Sequence, residues 1–102
     1  MTPEGRIQAE IRLALGKDPD LVLWRIAPSS PGSPIRTAPP GFPDLAGVLT
    51  VGGVGVAVFI EVKAPTGRMS EEQRLFRDNA ARRGAVHLVA RSADEAVAET
   101  DE

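Results

Sequence analysis

Three charged side chains stand among valines in the middle of this chain. Asp44 follows Pro43 and opens "DLAGVLTV", while Glu61 and Lys63 close "VAVFIEVK". Side chains two apart on a strand share a face. Glu61 and Lys63 therefore project together with Ala57 and Phe59, and Val56, Val58, Ile60 and Val62 take the other side. The intervening "GGVG" reads as a four-residue turn, so the two runs form an antiparallel hairpin and Asp44 can sit across from the end that carries Glu61. Carboxylates held that close repel each other, and a divalent cation relieves the repulsion. Two carboxylates, with water and a substrate phosphate completing the shell, describe a Mg²⁺ site. Such an ion polarises a phosphoryl oxygen and acidifies a bound water, and a neighbouring ammonium can orient that water or offset developing charge. An isolated E-x-K is an ordinary solvated pair. It is the combination with Pro-Asp and a valine-rich hairpin that points to phosphodiester chemistry.

Other residues could serve the same place. On a helix from residue 3, Glu4 falls angularly between Ile11 and Leu15 with Gln8 beside it, so a carboxylate is directed at an apolar face and needs a partner. The helix dipole explains an acid near the start, but not its inward placement. Glu10 falls off that stripe and reads as solvated. Gln73 completes the capping box Ser70-Glu71-Glu72-Gln73, yet it follows the E-x-K strand closely enough to point at the same site. Arg25 interrupts an apolar strand and could meet phosphate or an acid. Trp24 reads as core. His87, the single histidine, reads as a packed or edge residue.

The whole chain sets bounds on these readings. Its 102 residues, 42% apolar and 25% charged, predict one domain over residues 1–102 that can bury one core, and a core this small gains from a partner subunit. No apolar run is long enough for a membrane span, no signal-peptide pattern opens the chain, and the absence of cysteine fits a cytoplasmic setting. The net charge of −2 argues at first against nucleic acid, but its distribution does not. Residues 94–102 form an acidic C-terminal tail with five acids and no basic residue, whereas the rest carries twelve basic and nine acidic side chains. Arg68, Arg74, Arg77, Arg82 and Arg83 cluster in sequence, and the guanidinium fork suits phosphate.

The elements that must position these groups are legible. Thr2 caps a helix with Pro3 at its first position, Ile7, Ile11, Ala14 and Leu15 continue it, and Gly16 ends it. A strand follows over Leu21–Ala27. Residues 28–43 hold six of the nine prolines and read as a long loop. After the hairpin and the loop "APTGRM", a helix spans "SEEQRLFRDNAARRG", then a strand "AVHLVA" and a short terminal helix. The order α-β-β-β-α-β predicts an α/β fold. Its mixed central sheet is flanked by helices, and its last strand is joined by a helical crossover and lies parallel to the third.

Together, "EGRIQAEI" (4–11), Arg25, "GFPDLAGVL" (41–49), "EVKAPTGRMSEEQ" (61–73) and "GAVHLVARS" (84–92) resemble the PD-(D/E)xK nuclease superfamily, and within it the virus-type replication–repair nuclease (VRR-NUC) family, small stand-alone type. The resemblance implies a restriction-endonuclease-like core and a metal-dependent DNA endonuclease acting on branched DNA, a Holliday junction or a flap, in replication, recombination or repair. It implies that Asp44, Glu61, Glu4 and the backbone carbonyl of Val62 bind Mg²⁺ or Mn²⁺. Lys63 would position or activate the attacking water, and Gln73 would support the site. A homodimer is expected, as is a possible partnership with a helicase or another repair protein. Arg25, Arg36, Arg68, Arg74 and Arg77 are the candidates for DNA contacts. The proline-rich loop and the near-neutral charge depart from the family pattern. An alternative of another class is a non-cleaving DNA-binding or assembly module on the same fold, which an intact acid–acid–lysine set disfavours.

Overall fold

A computed structural model describes residues 2–26 and 41–100. Helix α1 (Pro3–Leu15) is followed by strands β1 (Leu21–Arg25), β2 (Leu45–Val51) and β3 (Val54–Val62), helix α2 (Glu71–Arg82), strand β4 (Val86–Ala90) and helix α3 (Ala93–Thr100). The four strands form one sheet in the order β1-β2-β3-β4, antiparallel except for the parallel pair β3–β4. This is the predicted α/β arrangement, with α2 as the crossover between the parallel strands. The proline-rich residues 28–40, Arg36 among them, lie outside the described residues.

Local chemistry sets each boundary. Thr2 is extended, and its hydroxyl accepts from the Gly5 amide at 3.0 Å, which starts α1. Ser70 and Gln73 form the full capping box of α2. At its other end Gly84 takes φ 89°, and the amides of Gly84 and Ala85 return to the carbonyls of Ala81 and Ala80, a Schellman closure. The β2–β3 turn differs from expectation. Val51 pairs with Val54, so the hairpin closes on two residues, Gly52 and Gly53, both at positive φ. That conformation follows the natural strand twist and strongly favours glycine, so the strands zip two residues further than the sequence "GGVG" suggests. Strand β1 ends at Arg25, two residues short of the expected Ala27, which lies outside the described residues.

The core sits between one face of the sheet and the pair α1/α3. Leu21, Leu45, Val58, Ile60, Val62, Leu88 and Ala90 are buried there against Ile11 and Leu15 of α1 and Ala96 of α3. Ile60 is fully buried beside Leu45. Ile60→Ala should therefore cost about 2–5 kcal/mol in urea unfolding, from the lost transfer energy and the cavity left behind.

Helix α2 lies on the opposite face against β4, and reaches β3 through Phe76, which meets Phe59 and Phe42 edge-on at 5.1 and 5.0 Å. No described helix covers the β1–β2 half of that face. Trp24 pairs with Ala46 there and is 56% exposed, so the expectation that it belongs to the core is corrected. Apolar composition places a residue on a strand, but its burial depends on whether another layer covers that side.

Candidate active site

The site forms where β2 begins and β3 ends. Leu45 pairs with Ile60, so continuing the register by one residue sets Asp44 opposite Glu61. The carbonyl of Asp44 accepts from the Ile26 amide at 2.9 Å, and its Oδ2 accepts from the Val62 amide at 2.9 Å. The preceding Gly41–Phe42 anchors this corner. Phe42 joins the aromatic cluster, and Gly41, at φ 86°, passes so close to Glu72 that a Cβ would collide with its backbone.

Glu61 is the one buried charged side chain among the described residues, at 3% exposure. Its Oε1 accepts from Gln73 Nε2 at 3.0 Å, and its Oε2 is buried without a hydrogen-bond partner. Burial pushes its carboxyl up to about 8. When protonated it shares that proton in a hydrogen bond with the Asp44 carboxyl, which adds to the rise as does the Asp44 charge; Lys63 pulls it down, and Glu4 contributes a smaller upward push. Lys63 is half-buried just past β3, with its amide donating to the Ala90 carbonyl at 3.1 Å. Gly67 packs on its stem, since a Cβ there would lie 3.4 Å from Lys63 Cδ.

The expected residues are thus only partly gathered. Asp44, Glu61, Lys63 and Gln73 share one corner. Glu4, exposed on the first turn of α1, reaches the same strand end through a long contact of 3.5 Å from the Ala64 amide to its Oε1. It does not close a cage. Among the described residues no three acidic or imidazole side chains are grouped tightly enough to hold a metal ion. The residues do fit a divalent cation of the Mg²⁺ type, which keeps several waters and needs only one or two carboxylates. The partnerless Glu61 Oε2, buried beside a second acid, is an oxygen ligand already stripped of water.

Of the candidate DNA contacts, Arg25, Arg68 and Arg74 are exposed. Arg25 pairs with Leu45, next to Asp44. Arg77 is engaged by Asp78 at 3.1 Å and by the Met69 sulfur at 3.8 Å. His87 packs on Phe76, its ring held below the usual histidine range by burial and then by Arg77. Arg91 lies within the "GAVHLVARS" stretch, but nothing in the sequence gives it a role at the site. Val62 pairs with Ala90, so Arg91 comes next to Lys63, and its Nη2 donates to the Gly67 carbonyl at 3.0 Å. Only the parallel register, invisible before β4 is paired, could have pointed to it. A groove of about 490 Å³ between α2 and the start of β3 is lined by Ala57, Phe59, Phe76 and Arg83 and contains none of the carboxylates.

Comparisons with known proteins bear on the fold and the family. No curated protein matches. A solved structure titled "VRR_NUC domain" superposes with a TM-score of 0.67 at 25% identity, covering 100% of this chain and 98% of that one. The sequence model of the VRR-NUC domain matches residues 4–94, a span that begins at Glu4 and includes both carboxylates, the lysine and the glutamine. The chain belongs to the VRR-NUC domain family, a family of nuclease domains.

Proposed function

We propose that this chain is a divalent-metal-dependent endonuclease that hydrolyses phosphodiester bonds in branched DNA, a Holliday junction or a flap, during replication, recombination or repair. The observation that carries the reading is Glu61, buried with one oxygen unpartnered, beside Asp44 and at the strand end that leads to Lys63.

Asp44 and Glu61 would hold Mg²⁺ or Mn²⁺, with the Val62 carbonyl and Glu4 contributing from the adjoining backbone and helix. When bound, the cation supplies Lewis acidity toward the phosphoryl oxygen and charge compensation for the two acids. The chain's own groups do the rest. Lys63 directs its ammonium at the attacking water and offsets charge on the phosphate. Gln73 fixes the carboxyl plane of Glu61. Arg25, Arg68, Arg74 and Arg77 bind phosphates on either side of the scissile bond without reading sequence, and Arg36 is assigned the same role. A homodimer would present two such sites related by a two-fold axis, as paired cuts in a symmetric junction require.

Incubation of the purified protein with labelled four-way junctions, flaps and duplex, in Mg²⁺, Mn²⁺ or EDTA, tests this directly. Cleavage that needs the metal and favours a branched substrate is expected. Stoichiometric protein that cuts none of the three would end the proposal.

A further inference from the structure

The glutamine that touches Glu61 also belongs to a helix cap, and the two bonds constrain each other. Gln73 Oε1 accepts from the Ser70 amide at 2.8 Å, and the Gln73 amide donates to Ser70 Oγ at 3.1 Å. A side-chain amide has one oxygen and one NH₂ group. Once the cap takes the oxygen, the NH₂ must face Glu61, which it does at 3.0 Å from Oε1. The reversed orientation would set two donors against each other at Ser70 and two oxygens against each other at Glu61. The N-terminus of α2 therefore decides which atom of Gln73 meets the acid.

That choice has a consequence for the ligand set. One lone pair of Glu61 Oε1 is taken by Gln73, whereas the buried Oε2 has no hydrogen-bond partner and is the freer oxygen for a cation. Mg²⁺ demands a compact octahedron and dehydrates reluctantly, whereas Ca²⁺ takes more oxygens and readily accepts both from one carboxylate. Resting on the active-site reading above, we propose that Gln73, oriented by the Ser70 amide, is a positioning residue that sets metal choice: by reserving one oxygen of Glu61 it biases the site toward Mg²⁺ and against Ca²⁺.

Titration calorimetry of the full chain with MgCl₂ and with CaCl₂, in the absence of nucleic acid, reads this out independently of cleavage. Gln73→Met removes the hydrogen bond to Oε1 and should raise the Ca²⁺-to-Mg²⁺ affinity ratio by up to about tenfold, the ratio being bounded by the lower range of affinity change when a metal ligand loses its hydrogen-bond partner. Ser70→Pro removes the amide donor at a residue whose φ of −71° suits proline, together with the hydroxyl that accepts from the Gln73 amide, and should shift the ratio in the same direction, whereas Ser70→Ala, which removes the hydroxyl alone, should not. Ser92→Ala removes the hydroxyl that accepts from the Glu95 amide at the start of another helix, and should leave the ratio where it was. A Gln73→Met ratio within about twofold of the parent's overturns the inference while the active-site reading stands. A shift in Ser92→Ala equal to that in Gln73→Met also overturns it, because general loosening would then explain both. An unchanged ratio in Ser70→Pro overturns the role of the cap. If the parent binds neither ion, the active-site reading falls and this inference with it.

Discussion

Lys63→Met is expected to cut less DNA by about 10²–10⁴-fold while binding the same junction within about threefold of the parent. The substitution keeps the apolar stem and removes only the ammonium. The stem packs under Gly67, and the amide of residue 63 holds the Ala90 carbonyl, so neither the turn nor the β3–β4 junction should change. The loss should appear in the rate at saturating protein rather than in the affinity, because the ammonium acts on the reacting water and not on the flanking phosphates. Single-turnover cleavage of a labelled junction alongside a filter-binding or anisotropy titration separates the two. A variant that cuts at the parental rate would remove Lys63 from the chemistry, and one that merely binds more weakly would make it another phosphate contact.

The second large effect concerns Glu61 and pH. In the metal-free chain its carboxyl is raised from 4.5 to about 8, first by burial and then by Asp44. A folded-state value above the unfolded one means that the native protein holds the proton more tightly. The associated stability is complete below about 4.5 and is lost as pH rises through about 8. Because the proton is shared with Asp44, only part of the full linkage value belongs to Glu61, and the decline across that window is on the order of a few kcal/mol. A divalent cation acts in the opposite sense, since it binds the carboxylate form and competes with the proton. Saturating Mg²⁺ should therefore raise Tm substantially at pH 8 and little at pH 5. Glu61→Gln should lose both the metal response and this part of the pH slope, since an amide can occupy the site uncharged. Thermal melts of parent and variant at the two pH values, with and without MgCl₂, provide the comparison. Equal Mg²⁺ shifts at pH 5 and pH 8 in the parent would show that the ion binds somewhere other than Glu61.

Both predictions start from residues recognisable in the sequence, but how much of the site was legible differs from residue to residue. Asp44, Glu61 and Lys63 stood out because charge is expensive among valines, and strand alternation alone places the last two on one face. Gln73 could be read two ways, as a cap or as a site residue. In the structure it caps α2 and donates to Glu61 at once, because an amide carries a donor and an acceptor on opposite sides. Helical spacing sets Glu4 on the side of α1 that carries Ile11 and Leu15, yet at the first turn it is exposed and meets the Ala64 amide rather than joining the two acids. Helical angle fixes direction but not reach. Trp24 was misplaced because hydropathy cannot tell a covered sheet face from an open one. Arg91 was missed because it lies beside Lys63 only through the parallel pairing of β3 with β4.

What the sequence determined by itself is what neighbours along the chain decide. Thr2, Ser70 and Gly84 set the ends of helices, the paired glycines force the hairpin to turn, and period-two alternation sorts side chains to one face or the other. These effects act within a few residues and need no fold to operate. Tertiary structure decided whatever depends on contacts between distant segments. The register set Asp44 opposite Glu61, burial raised the Glu61 carboxyl and left one of its oxygens unpartnered, and the docking of α2 brought the Gln73 amide to the other. A carboxylate in water has an ordinary pKa and any number of partners. Only a packed interior can deny it solvent and limit what may replace it.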